Sequence, residues 1–199
     1  MPLPVVAIVG RPNVGKSTLF NRLIGFKKAT VDDRPGVTRD RLYEEAEILG
    51  HRFMVMDTGG LEPAPDTDLL AAMRVQSLVA VEEADVIVFL VDARKGLTPA
   101  DEEIADLLRR ATKPVVLAVN KVDGPKHEEL GADFWQLGFD ALYTISSAHG
   151  RGIYELIEAV LPHLPDDLGE EDELTDEQFS GEFEAPEQID AIRIAVIGR

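Results

Sequence analysis

Nine consecutive residues near the amino terminus have the types and spacing to grip a polyphosphate. They are Gly10, Arg11, Pro12, Asn13, Val14, Gly15, Lys16, Ser17 and Thr18, of which the first eight spell G-x-x-x-x-G-K-S. A polyphosphate carries several negative charges and needs donors close to its oxygens. Gly10 and Gly15 lack a Cβ, so the backbone can turn tightly and aim its N–H groups inward. A helix starting here would present its positive dipole end and free N–H groups to the same oxygens. Lys16 adds a full charge near the β- and γ-phosphates and is a candidate catalytic residue; the Ser17 hydroxyl is a candidate Mg²⁺ ligand. The bland alternative is a chance glycine turn before a surface lysine.

Three further groups add to this chemistry. In Asp57-Thr58-Gly59-Gly60 the Asp57 carboxylate would hold Mg²⁺, through water, and the Gly60 N–H would meet the γ-phosphate. Alone, this D-x-x-G is an ordinary strand-end turn. Asn120-Lys121-x-Asp123 is more specific. Guanine carries a ring N–H beside an exocyclic amine, and one carboxylate, Asp123, accepts from both. Adenine lacks that amine and would leave the carboxylate unpaired, a mismatch that discriminates by several powers of ten. Lys121 can lay its stem along the base, and Asn120 can tie the loops together. Ser146-Ser147-Ala148 can offer a backbone N–H to the guanine oxygen, with Ser147 and Ala148 as the candidate contacts. Each group alone is also a plausible polar turn; their value lies in combination.

The elements that must position these residues are legible as apolar runs. Val5–Val9 reads as a strand entering the glycine loop, and Thr18–Ile24 has helical spacing. Residues 42–48 and 52–56 read as a hairpin turning at Leu49-Gly50-His51. Further strands are predicted over 85–91, 114–119 and 141–145, and helices over about 68–82, 99–110, 128–137 and 153–161. Thr98 is the expected N-cap of the third helix, with Pro99 in its first turn and Asp101 near its dipole. Trp135 is expected to pack its helix, and Gly150 and Gly152 to shape the entry to the last one. Residues 27–41 and 59–67 read as loops beside the phosphate site. Strands alternating with helices imply a mostly parallel sheet covered on both faces, with ligands at the carboxyl ends of the strands. Each candidate group falls at such an end.

Composition sets the bounds. The 199 residues are 45% hydrophobic, which allows one full domain plus an appendage. Cysteine is absent, so there is no disulfide framework or thiolate metal site. The four histidines have no ligand spacing. No apolar run approaches a membrane span, and Met1-Pro2-Leu3-Pro4 leads directly into the first strand without a signal peptide, so a cytoplasmic setting is expected. The net charge of −17 is concentrated: between His163 and Ile192 lie 12 acidic residues and no Lys or Arg. No basic nucleic-acid patch is visible. Residues 166–190 are read as an acidic, disordered linker following a domain over 1–165. After it, Ile194-Ala195-Val196-Ile197-Gly198-Arg199 repeats the pattern of Val6-Ala7-Ile8-Val9-Gly10-Arg11. Residues 191–199 are therefore expected to begin a second, similar domain that continues beyond Arg199.

Taken together, Gly10–Ser17, Thr38, Asp57–Gly60, Asn120–Asp123 and Ser146–Ala148 resemble the translation-factor-like small GTPases over roughly residues 4–163. Within them, the phosphate loop, Pro35-Gly36-Val37-Thr38-Arg39-Asp40 and Asp57-Thr58-Gly59-Gly60 resemble the Era–EngA group. The acidic linker and the restarting strand resemble the EngA (Der) family, whose members carry two tandem GTPase domains. The resemblance implies an α/β P-loop NTPase fold: a Ras-like sheet of six strands, mostly parallel, with one antiparallel edge strand. It implies GTP or GDP and Mg²⁺ as cofactors, with Ser17, Asp57 and Thr38 as metal ligands and Thr38 sensing the γ-phosphate. It implies a role in assembly of the large ribosomal subunit. Where Ras-like enzymes place a water-orienting Gln after the D-x-x-G glycine, this chain has Leu61. In related GTPases an Asn at the Asn13 position accompanies K⁺ binding, so K⁺-stimulated hydrolysis is expected, with Arg39 and Arg41 as weaker candidates for the missing cation. Two other readings stay open: a regulatory GTP/GDP-binding module that hydrolyses negligibly, and an ATP-dependent kinase, against which Asp123 argues.

Overall fold

The computed structural model describes residues 2–25, 43–60 and 69–165. Thr38, Arg39, Arg41, Leu61, the acidic segment and residues 191–199 lie outside the described residues. The strands are β1 (Val5–Val9), β2 (Tyr43–Ile48), β3 (His51–Asp57), β4 (Val86–Asp92), β5 (Val115–Asn120) and β6 (Leu142–Thr144). The α-helices are α1 (Lys16–Gly25), α2 (Leu69–Glu83), α3 (Pro99–Arg110) and α4 (Ile153–Val160). The strands form one six-stranded sheet in the order β2-β3-β1-β4-β5-β6. Only β2 against β3 is antiparallel, so the antiparallel member is an edge strand.

Both faces of the sheet are covered, and strand alternation explains how. Along β4, Val86, Val88 and Leu90 join the core under α1 and α4, while Ile87, Phe89 and Val91 join the core under α2 and α3. All seven residues of β4 are buried, which is why Val86–Val91 reads as an unbroken apolar run before the buried Asp92 at its end. The hairpin is tighter than the sequence suggested. Leu49 and Gly50 alone make the turn, both at positive φ, and β3 already begins at His51.

The stretch read as a helix over 128–137 is a 3-10 helix, Pro125–Leu137. Three residues per turn bring residues three apart onto one side. Gly131, Phe134 and Leu137 are accordingly buried, while Trp135 is 53% exposed and does not pack its helix as expected. At α3 the cap is as predicted: Thr98 and Asp101 form a reciprocal capping box with Pro99 in the first turn. Gly150 and Gly152 both have positive φ at the entry to α4.

Candidate functional site

The carboxyl ends of β1, β3, β5 and β6 carry the candidate residues. Register places them: Ile8 lies beside Asp57 and Asp92 beside Asn120. The loop after β1 requires its glycines by close approach. A Cβ on Gly10 would stand 2.2 Å from the Leu90 carbonyl oxygen, and one on Gly15 would stand 2.3 Å from the Asn120 side-chain nitrogen. Asn13 sits in the left-handed region at φ 64° and is exposed. Pro12, Ser17 and Thr18 are exposed around it, whereas Val14 is buried.

Lys16, the first residue of α1, is buried, and its Nζ donates to the Gly10 and Arg11 carbonyls at 2.9 and 3.0 Å. The ammonium is thus held inside the curl of its own loop. Asp57, also buried, accepts from the Gly59 N–H at 2.8 Å. A Cβ on Gly59 would be 3.3 Å from Lys16 Cε and 3.0 Å from Asp57 Oδ1, so lysine, carboxylate and glycine converge on one spot. Thr58 turns away and donates to the Ile8 carbonyl at 2.8 Å. Gly60 closes the 3-10 turn Thr58–Gly60.

Asn120 is the joint between two loops. Its Nδ2 donates to the Val14 carbonyl at 2.8 Å, and its Oδ1 accepts from the Ser147 N–H at 2.9 Å. Lys121, at φ 71°, crosses the end of the sheet; its Nζ donates to the Asn13 carbonyl at 2.7 Å and to Asp92 at 2.6 Å. Asp123 accepts from the Ser146 hydroxyl at 2.7 Å and pairs with Arg94; His149 stands 3.9 Å from the same carboxylate. The Ser146 hydrogen bond is the largest influence and draws the Asp123 carboxyl below the ordinary aspartate value of 3.8; burial pushes it back up, and the charge and hydrogen bond of Arg94 with the charge of His149 leave it lowered. It is therefore ionised, an acceptor only, at neutral pH. Ser147 is buried and Ala148 exposed.

Three participants were not found from sequence. Asp92 could have been suspected, since it ends a parallel strand beside Asn120. Arg94 and Arg22 carry no local signal; their partners are 29 and at least 125 residues away in the chain. Among the described residues no group of three or more His, Cys, Asp or Glu could hold a metal by itself. A groove between α2 and α3, lined by Arg74, Leu78, Val81, Glu103, Asp106 and Leu107, contains none of the candidate residues.

The family described as 50S ribosome-binding GTPase matches residues 5–121, the stretch from β1 through Asn120-Lys121. The chain belongs to that family. Within it, the similarity is to proteins named GTPase Der, as the motifs implied. It is 52% identical over 202 residues to GTPase Der of Syntrophotalea carbinolica, covering 99% of this chain and 42% of the relative. It is 58% identical over 172 residues to that of Trichlorobacter lovleyi, covering 86% and 38%. The chain thus spans about two fifths of the length of these relatives. Among solved structures, Aquifex aeolicus Era bound to GDP·AlF4⁻ has a TM-score of 0.64 at 33% identity over 83% of this chain and 58% of that one. Era with MgGDPNP and a fragment of 16S ribosomal RNA has a TM-score of 0.63 at 30% identity over 95% and 61%. The six-stranded P-loop GTPase fold expected from sequence is present. Among the described residues no helix is long and apolar enough to cross a membrane.

Proposed function

We propose that this domain binds GTP and GDP and hydrolyses GTP as a molecular switch. The observation that carries the reading is Asn120, which joins the Val14 carbonyl of the phosphate loop to the Ser147 N–H of the loop beside Asp123. One residue thereby fixes the distance between a phosphate cradle and a base-reading carboxylate.

The roles follow from chemistry. The amides of Gly10–Thr18 and the Lys16 ammonium take the phosphates, with phosphate oxygens replacing the two carbonyls that Lys16 now holds. Asp123, ionised and oriented by Ser146, accepts the two adjacent donors of guanine. The Lys121 stem lies along the base while its ammonium is anchored on Asn13 and Asp92. The Ala148 N–H donates to the guanine oxygen. Mg²⁺ fits the donor set: a hydroxyl at the start of α1 and a carboxylate at the end of β3, beside Lys16. Such an ion is held by one or two protein oxygens together with water and phosphate oxygens. Ser17 and Asp57 would hold it, with Thr38 as a further ligand, and when bound it would neutralise phosphate charge. The Gly60 N–H addresses the γ-phosphate. Leu61 cannot hydrogen-bond water, so Asn13 would hold a K⁺ ion, which when bound would supply the positive charge of an arginine finger, a group that elsewhere accelerates hydrolysis by about 10³–10⁵.

The domain boundary near 165, a linker over 166–190 and a second GTPase domain from about 191 belong to the same proposal. They are supported by the restarting strand pattern at Ile194 and by relatives more than twice as long. Action on the large ribosomal subunit is supported by the matched family's description, and a cytosolic setting goes with it.

Binding of GTP, GDP and ATP measured in parallel with Mg²⁺ tests the reading. Guanine nucleotides are expected to win by several powers of ten; ATP displacing GDP as readily as GTP does overturns it. Single-turnover hydrolysis in K⁺ and Na⁺ buffers tests the rest. Equal rates remove the K⁺ role, and no turnover in either leaves a regulatory nucleotide-binding module.

A further inference from the structure

The loop proposed to read guanine is gripped from a second side, by a residue of the first helix. Arg22 lies near the carboxyl end of α1. Its Nε donates to the Ser147 carbonyl at 2.5 Å and its Nη2 to the Ala148 carbonyl at 2.6 Å. The fork of a guanidinium thus spans two successive carbonyls, a geometry an ammonium does not reproduce. The loop is shaped to receive it. Gly150 turns at φ 78°, and a Cβ there would stand 3.0 Å from Arg22 Nη1. The Ser147 N–H is meanwhile taken by Asn120, and Ser146 is bonded to Asp123. The loop is therefore held through the Ser147 N–H from β5 and through the Ser147 and Ala148 carbonyls from α1.

We propose that Arg22 is a positioning residue for guanine recognition and sets the rate at which nucleotide leaves. The proposal rests on the guanine-site reading above. Its physical content is that an N–H can serve as a donor only where its peptide plane points. Arg22 holds the carbonyls of Ser147 and Ala148, and the Ser147 carbonyl shares its peptide plane with the Ala148 N–H. Fixing that carbonyl fixes the direction of the donor assigned to the guanine oxygen. Because α1 begins at Lys16 and Ser17, the same rigid rod carries the phosphate contacts at one end and the base-loop clamp toward the other.

The test uses the whole chain with Arg22→Ala and Arg22→Lys, and reads two quantities. The first is release of fluorescently labelled GDP after mixing with excess GDP. The second is the affinity ratio of GDP to 6-thio-GDP, whose sulfur is the poorer acceptor for the Ala148 N–H. Arg22→Ala is expected to speed release by about tenfold, on the scale of one charge-assisted hydrogen bond. It should also shrink the GDP to 6-thio-GDP ratio. Arg22→Lys, which keeps charge but cannot bridge both carbonyls, should lie between. A variant that merely loosened the domain would weaken both ligands equally and leave the ratio unchanged, which would overturn the proposal. So would release as slow as in the unmodified chain. If Arg22→Ala does not fold, Arg22→Lys supplies both readouts: faster release with a smaller ratio supports the proposal, and an unchanged value of either overturns it. An unmodified chain that holds GDP no better than ADP would overturn the guanine-site reading and this proposal with it; a selective unmodified chain with inert Arg22 variants would overturn this proposal alone.

Discussion

Replacing Asp101 by alanine should unfold this domain far more readily than a surface-cap mutation would. Asp101 was expected to sit near the dipole of α3, yet its carboxylate is fully buried. It accepts from Arg11 Nε at 2.7 Å, from the Thr98 hydroxyl at 2.7 Å and from the Thr98 N–H at 3.1 Å. The Arg11 side chain is only 17% exposed, and its Nη2 is already buried without a partner among the described residues. Two losses therefore combine in Asp101→Ala. The return half of the capping box, from the Thr98 N–H to this carboxylate, disappears while Thr98 still caps, a loss of about 1 kcal/mol. Arg11 is stranded as an uncompensated buried charge, and breaking a buried pair from one side costs about 3–5 kcal/mol. Their effects overlap at one carboxylate, so a total of about 4 kcal/mol is expected, a large share of the roughly 5–15 kcal/mol that a domain of this kind possesses. For about 160 residues that lowers Tm by roughly 8–16 °C.

Urea unfolding should be followed by far-ultraviolet circular dichroism, because Trp135 is half exposed and its fluorescence will change little. The decisive comparison is the double variant Arg11→Met with Asp101→Leu. It removes both charges and fills the space with apolar atoms, which is often neutral. It should recover most of the loss despite lacking the return half of the capping box. A cost for Asp101→Ala under about 1 kcal/mol, the range of an exposed pair, would refute the reasoning; so would a double variant as unstable as Asp101→Ala. The outcome bears on function because Arg11 also lends its carbonyl to Lys16.

Three shorter predictions accompany it. Gly15→Ala would force a Cβ to 2.3 Å from the Asn120 nitrogen at φ 108°, so calorimetric titration should show GDP affinity falling by at least about 100-fold, the scale of about 3 kcal/mol; an unchanged affinity would show that the two loops are not joined through Asn120. Because the native Asp123 carboxyl titrates below its ordinary value, its contribution is fully present above that value and is lost as pH falls through the lower, native one. Ser146→Ala removes the largest cause, so its acid-side loss of GDP binding should move to higher pH; coincident profiles for the two proteins would contradict this. Leu108→Ala in the core beneath α3 should cost about 2–5 kcal/mol by urea unfolding, whereas Val75→Ala, 59% exposed on α2, should stay within about 0.5 kcal/mol.

The parts legible in the sequence are those whose cause is local. Gly10 and Gly15 announce a loop because no other residue fits there, and β4 announces itself because burial on both faces leaves no polar position before Asp92 at its end. Period is weaker evidence when a segment is short. Phe134 and Leu137 lie three apart, which suits a helix of either 3.6 or 3.0 residues per turn; only Trp135, turned outward, distinguishes them. What the sequence did not disclose are partners brought together by sheet order. Arg11 and Asp101 are 90 residues apart, and Arg22 and Ser147 are 125 apart. No periodicity links such pairs, and an arginine that folds back onto carbonyls has the same letter as one that is solvated.

Those hidden pairs share a purpose that explains their placement. Strands that end together at one rim leave their loops free to move unless side chains fasten them. Asn120 fastens the loop after β1 to the loop after β6, Lys121 fastens the loop after β1 to the end of β4, and Arg11 fastens it to the cap of α3. Each joins a side chain to a fixed backbone group or a buried carboxylate: Asn120 donates to the Val14 carbonyl and accepts from the Ser147 N–H, and Lys121 and Arg11 donate to Asp92 and Asp101. A phosphate loop held on three sides loses little conformational freedom when ligand arrives, and preorganisation of that kind appears directly as affinity. The same reasoning sets the order of sensitivity at this rim. Residues that fasten loops should affect nucleotide release more than exposed neighbours such as Arg94, whose pairing with Asp123 remains open to solvent.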